Sequence, residues 1–193
     1  MRIRKEMENQ KDFNKNNQNE NEHIIEGRNA VLEAFRSGKT VDKLYLQDGL
    51  RDGVISSILR DAKKKDVIVN FVSKEKLDQM SSTKKHQGVM AICSAYEYAD
   101  IEDIFAKAEE KGEAPFVFIL DELEDPHNLG AIIRTANLCG AHGVIIPKRR
   151  AVGLTATVAK TSAGALEFTR VARVSNLAAA IETLKKENIF VMT

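Results

Sequence analysis

From Ile24 onward, helical patterns alternate with short apolar runs, and this alternation restricts the chain to an α/β architecture. In the first half, GRNAVLEAFRSG, GVISSILRDAKKK and KEKLDQM read as helices, while VDKLYLQ, VIVNFV and HQGVMAICSAY read as strands. That predicts a compact domain over residues 24–95, with residues 96–100 as a linker. The stretch IEDIFAKAEEKG then places Ile101, Ile104, Phe105 and Ala108 at helical spacing and stops at Gly112, so a helix opens a second domain over residues 101–193.

Past Pro115 the apolar runs lengthen: FVFILDEL, GVIIP, TRVARV and a final IFVMT, separated by helices through NLGAIIRTANLCG, TATVAKTSAGA and NLAAAIETLKKE. Near-continuous Val, Ile and Phe between helices predict a parallel sheet covered on both faces, with any ligand at the carboxyl ends of its strands. An apolar strand at the end of the sequence is expected to leave an exposed sheet edge.

Residues 1–23 mix both charges with many Asn and almost nothing apolar, which predicts a disordered tail. The sequence contains no secretory h-region and no apolar run long enough to span a bilayer, so no membrane partner is expected and the cytoplasm is the expected location. Both cysteines, Cys93 and Cys139, fall within apolar elements and read as buried free thiols. His23, His86, His127 and His142 lack metal-ligand spacing, so no metal site is expected. A net charge of +1 does not identify a partner by itself.

The chemistry concentrates in DELEDPHNLGAIIRTANLCGAHG, residues 121–143, where a buried strand runs through an Asp-Pro turn into a helix. A helix N-terminus beside polar groups favours anions. Leu129, Ile132, Ile133, Ala136 and Gly140 share one face, and Arg134 projects from roughly the opposite side, free to meet a ligand. From the residues alone, two readings stand: Asn128 as a cap with Arg134 merely solvated, or both as ligand-facing groups.

The run Asp125 to Ala136, DPHNLGAIIRTA, resembles the first signature motif of the SpoU/TrmH RNA ribose 2′-O-methyltransferases, and Lys160 to Glu167, KTSAGALE, resembles the stretch that follows in that group. Gly27-Arg28-Asn29-Ala30-Val31 and His86-Gln87-Gly88-Val89 are similar to the substrate domain of the 23S rRNA guanosine 2′-O-methyltransferase subgroup. The resemblance implies a ribosomal-protein-like α/β RNA-binding domain followed by a SPOUT methyltransferase domain with a trefoil knot. It also implies a homodimer, S-adenosylmethionine as methyl donor, and RNA, with large-subunit rRNA favoured, as substrate. Asn128 and Arg134 carry over as catalytic-motif residues and Glu167 as a residue supporting the site. Arg28, Lys84, Lys85 and His86 in the first domain, and Lys148, Arg149 and Arg150 in the second, are the candidate RNA contacts, weighed against simple solvated charge.

A guanidinium is too weak an acid to serve as base at the 2′-hydroxyl, so the expected role of Arg134 is to clamp a neighbouring phosphate. The family continues past the strand matching IFVMT with two further motifs that hold the methyl donor. On that comparison the methyltransferase domain is expected to be C-terminally incomplete, with no donor ligand assignable. Three readings follow, in order: part of a methyltransferase, a shortened RNA-binding protein without catalysis, and a nucleotide-binding α/β domain of another class. The last is disfavoured because no Gly-rich phosphate loop follows any strand.

Overall fold

The computed structural model describes residues 24–192; the tail expected over 1–23 lies outside them. The chain divides into two compact units, one ending at Ala95 and one beginning at Tyr96.

In the first unit the elements run β1 (Ile24–Glu26), α1 (Arg28–Arg36), β2 (Val41–Gln47), α2 (Gly53–Lys64), β3 (Ile68–Val72), α3 (Lys74–Met80) and β4 (Val89–Cys93). The sheet order is β1-β4-β2-β3, with β4 antiparallel to both neighbours and β2 parallel to β3. Alternation sets the two faces: Leu44, Leu46, Val89 and Ala91 point into a core completed by Val31 and Phe35 of α1 and Ile55, Ile58 and Ala62 of α2. Asp52 caps α2, accepting from Val54 N and Ile55 N at 3.0 Å each. The expected strand His86 to Tyr96 is shorter in the structure, because His86 to Gly88 turn sharply before Val89 enters the sheet.

The second unit contains α4 (Ile101–Lys111), β5 (Val117–Ile119), α5 (Pro126–Leu138), β6 (Gly143–Pro147), α6 (Ala156–Thr161), a 3-10 turn (Ala165–Glu167), β7 (Arg170–Val174) and α7 (Leu177–Lys186). Strands β5, β6 and β7 form one parallel sheet in that order. Val144 and Ile146 pack with Leu129, Ile133 and Ala136 of α5 and Val158 of α6, while Ile145 packs on the other face with Ile104 of α4 and Leu184 of α7. The parallel sheet is therefore covered on both faces, as its unbroken apolar runs require.

Several expectations are corrected here. Tyr96 and Tyr98 pack on the α5 side of this core and Ala99 bridges to Ala172, so the stretch read as linker is structured within the second unit. Residues 189–192 form no strand: Ile189 and Val191 turn inward onto the core while Phe190 and Met192 stay 85% and 82% exposed. That alternation is strand-like, yet these residues have no ladder partner among the described residues. Cys139 is exposed, because it caps the C-terminus of α5 outside the packed face, and Gly140 is likewise exposed in the turn that follows. No helix among the described residues is long and apolar enough to cross a membrane.

Candidate functional site

In the first unit the carboxyl end of β2, the start of α1, α3 and the segment from Lys84 to Gly88 line an open concavity of about 850 Å³. Four cationic side chains line it, Arg28, Lys74, Lys84 and Lys85, against a single carboxylate, Asp78. Asp78 is already committed, since its Oδ1 lies 3.1 Å from His86 Nε2. His86 Nδ1 accepts from Gly88 N at 3.0 Å, so the ring donates from Nε2 and both nitrogens are engaged. His86, a candidate RNA contact, is only 4% exposed and works as a brace for the loop.

The other end of that loop hangs on Glu26. Its carboxylate accepts from Ser81 Oγ at 2.7 Å and Ser82 N at 3.0 Å, and also from the Thr83 hydroxyl. The hydroxyls pass the order on: Ser81 Oγ accepts from Lys84 N at 2.7 Å and Thr83 Oγ1 from Lys85 N at 3.1 Å. One carboxylate on β1 thus fixes the backbone of both lysines, while their ammonium groups have no partner among the described residues and face solvent. Lys84 and Gln87 hold left-handed backbone, φ 56° and 51°, at a cost of about 1 kcal/mol each that the surrounding bonds offset. Arg28 is partly occupied, ion-paired to Asp52 at 2.6 Å and donating from Nε to Gln87 O at 3.1 Å.

Burial pushes the Glu26 carboxyl up, but the bonds from Ser81, Thr83 and Ser82 outweigh it and hold the group below its ordinary value of 4.5. A carboxyl depressed in the folded state stabilises folding above its unfolded pKa, and that contribution is lost as pH falls through the folded value. The urea midpoint of the first unit should therefore fall on acidification below about pH 4.5, with a shallower fall in Glu26→Gln. Identical acid profiles for the two proteins would show that Glu26 does not carry this dependence.

In the second unit Asp125, not Asn128, caps α5, accepting from His127 N at 2.8 Å, and Pro126 occupies the first helical position, where its missing N–H costs nothing. Asn128 lies one turn in. Leu129, Gly130, Ile133 and Ala136 are buried, whereas His127, Asn128, Arg134, Thr135 and Leu138 form one exposed stripe. Asn128 and Arg134 stand at its two edges, about 120° apart around the axis and about 9 Å apart along it. Neither side chain has a hydrogen bond or ion pair among the described residues. The recorded contact of Glu167 is Tyr96, whose hydroxyl donates to Oε1 at 3.0 Å, so no direct bond joins the three motif residues.

At the carboxyl ends of the parallel strands, Lys148 N donates to Val174 O and Val152 N to Leu123 O, which ties the rim loops together. Arg150 pairs with Glu122 at 2.8 Å, both in left-handed backbone, while Arg149 is exposed with no partner among the described residues and Lys148 is half-buried. Asp121, Glu122, Arg149, Arg150, Ser175 and Asn176 are exposed and polar, which does not match the enclosed apolar slot that an adenosine group needs. A cavity of about 250 Å³ lined by Tyr96, Tyr98, Asp103, Leu154 and Arg170 lies at the other end of β7. These residues do not fit S-adenosylmethionine, and none is assigned to it.

The substrate-binding model for RNA 2′-O ribose methyltransferases matches residues 24–99, and the model of the SpoU rRNA methylase family matches residues 115–193. A Bacillus subtilis protein named as a TrmH family tRNA/rRNA methyltransferase, YacO, is 50% identical over 173 residues, covering 90% of this chain and 69% of its own length. This chain belongs to the SpoU/TrmH family of RNA methyltransferases. A TrmH family relative from Staphylococcus haemolyticus is 49% identical over 168 residues, covering 87% of this chain and 67% of that protein. Among solved structures, the SpoU methyltransferase AviRb from Streptomyces viridochromogenes, in complex with AdoMet, aligns with a TM-score of 0.42 at 19% identity. That alignment covers 86% of this chain and 58% of AviRb, a likeness too low for any site to be transferred. The chain spans about two thirds of the length of the curated relatives it matches.

Within the family-matched segments, the charge in KKHQG was readable as a basic loop, but its support was not. Glu26 lies more than fifty residues upstream of its partners, and nothing in EGRNA marks it as their anchor. Lys74 and Gln47 carry no local signal of a shared site: one opens a helix and the other ends a strand, and only the fold brings them to one concavity.

Proposed function

We propose that this chain is the RNA-recognising and motif-bearing part of a ribose 2′-O-methyltransferase that uses S-adenosylmethionine and acts on 23S rRNA. The observation that carries the reading is the exposed stripe of α5, which presents Asn128 and Arg134, without partners among the described residues, within the family-matched methylase segment. S-adenosylmethionine would supply the electrophilic methyl group. The task left to this chain is to hold a ribose so that its 2′-oxygen is aligned, and orientation alone can supply a large part of such a barrier.

Arg134 suits that task as a fork on the phosphate beside the target ribose, because its guanidinium keeps its protons at neutral pH. Asn128 offers an amide to the ribose or base on the same stripe, and Glu167, held by Tyr96, supports the neighbouring loop. A homodimer enters this proposal from the family resemblance alone. A cytoplasmic location follows from an rRNA substrate.

In the first unit, Lys84, Lys85, Lys74 and Arg28 attract the phosphate backbone, and in the second Lys148, Arg149 and Arg150 extend the contact at the strand-end rim. His86 acts by bracing the loop. Fluorescence anisotropy across a salt series tests this: Lys84→Ala/Lys85→Ala should reduce the slope of log K against log salt by about 1–2 and weaken all RNAs alike. An unchanged slope would remove this loop from the RNA interface.

A further inference from the structure

The cations of the first unit surround features that phosphate binding does not require. Gln47, half-buried at the end of β2, lines the concavity with an amide that has no side-chain partner among the described residues. Gln87 lines it too; its Oε1 accepts from Arg28 N at 3.2 Å, which fixes the amide while its N–H donors have no partner among the described residues. Leu50 supplies an apolar wall, and Gly88 makes room for it: a Cβ on Gly88 would sit 2.2 Å from Leu50 Cδ1, at a φ of +80° that side chains rarely adopt. Neutral donor and acceptor groups beside an apolar surface, inside a ring of cations, match a nucleobase edge and face with its flanking phosphates. An A-form duplex keeps its bases stacked and shows their edges only along a wide, shallow minor groove, so it cannot insert a base into a concavity.

We infer that the concavity takes up one unstacked nucleotide of an RNA loop, with Gln47 and Gln87 reading the base edge and Leu50 packing on its face. Lys84 and Lys85 then hold the adjacent phosphates. This rests on the proposal that the first unit binds RNA and adds what that unit selects. The braced loop makes such a pocket economical, because Glu26 and His86 set the geometry of Lys84 to Gly88 before any RNA arrives.

The test is anisotropy with the full chain, using stem-loops that vary one unpaired base and a blunt duplex of equal length. Wild type should bind its preferred loop about tenfold or more tighter than the duplex. Gln47→Leu and Gln47→Ala should each cut that preference about five- to tenfold and flatten the ranking of the four bases, with the salt slope unchanged. Thermal melts identify any variant that has lost its fold, and the second substitution then carries the comparison. Retained loop preference in folded Gln47 variants would overturn the base-reading site while leaving RNA binding intact. Equal binding of loop and duplex by wild type would do the same. No RNA binding by wild type at low salt would instead overturn the RNA face itself.

Discussion

Gly130→Ala should be among the most damaging single-methyl changes in this chain, lowering the stability of the second unit by about 2–3 kcal/mol. Gly130 lies on the buried face of α5, where that helix meets α6. A Cβ there would lie 1.9 Å from Thr161 Oγ1, 2.8 Å from Thr161 Cβ and 3.0 Å from Ser162 N. The hydroxyl cannot simply swing aside without loss, because it donates to Thr157 O at 2.8 Å, and Ser162 N is backbone bonded to Val158 O. The two helices must therefore separate, which loosens the segment bearing the motif. Thermal melting should show the second-unit transition about 10–20 °C lower, with the first unit unaffected. Thr161→Ala on the Gly130→Ala background should recover part of the loss, because it removes the closest atom. A melting point within a degree or two of wild type would mean that α5 and α6 are not packed as described.

Arg134→Ala should leave stability within about 0.5 kcal/mol of wild type, since its side chain is exposed and has no partner among the described residues. Methyl transfer by the methyltransferase of which this chain is proposed to be part should, in contrast, fall by about 100-fold or more, the usual scale for removing a group that orients or neutralises the reacting centre. Arg134→Lys separates the two physical roles. Lysine keeps the charge but not the planar fork, so a phosphate clamp predicts a loss of about tenfold or more in that variant too. Single-turnover transfer of labelled methyl groups, measured beside RNA affinity, makes the distinction. Near-normal turnover by Arg134→Lys would argue against bidentate clamping, and a parallel loss of RNA affinity would make Arg134 a binding residue instead.

The periodic elements were legible because period and burial coincide. Val144, Ile145 and Ile146 are apolar in succession and are buried on alternate faces, as a two-sided parallel strand demands. What local pattern could not supply was pairing. IFVMT has strand composition, yet a strand needs a ladder partner, and the run merely tucks Ile189 and Val191 under the sheet. A cap was one of two roles open to Asn128 at the helix start, but the Asp-Pro pair three residues earlier meets the geometric need first.

The site was legible in part for a similar reason. Arg134 and the lysines announced themselves by residue type and by resemblance to the SpoU/TrmH motifs. The bonds that prepare the concavity, Glu26 to Ser81 and His86 to Asp78, are tertiary and have no short-range signature. His86 sits between a lysine pair and a glutamine, which reads as surface. The fold instead buries it, leaving the charge around it exposed.

Ribose methylation protects the adjacent phosphodiester from alkaline cleavage, because the 2′-oxygen can no longer attack it. Mapping that protection across rRNA and tRNA, from cells with the gene intact, deleted, or carrying Arg134→Ala, tests the proposed activity and its substrate together. A single 23S rRNA position that is protected with the intact gene, and cleaved after deletion or with Arg134→Ala, is the predicted result. A protection map unchanged by deletion would contradict methyl transfer by this protein, and loss of protection in tRNA alone would contradict the rRNA assignment.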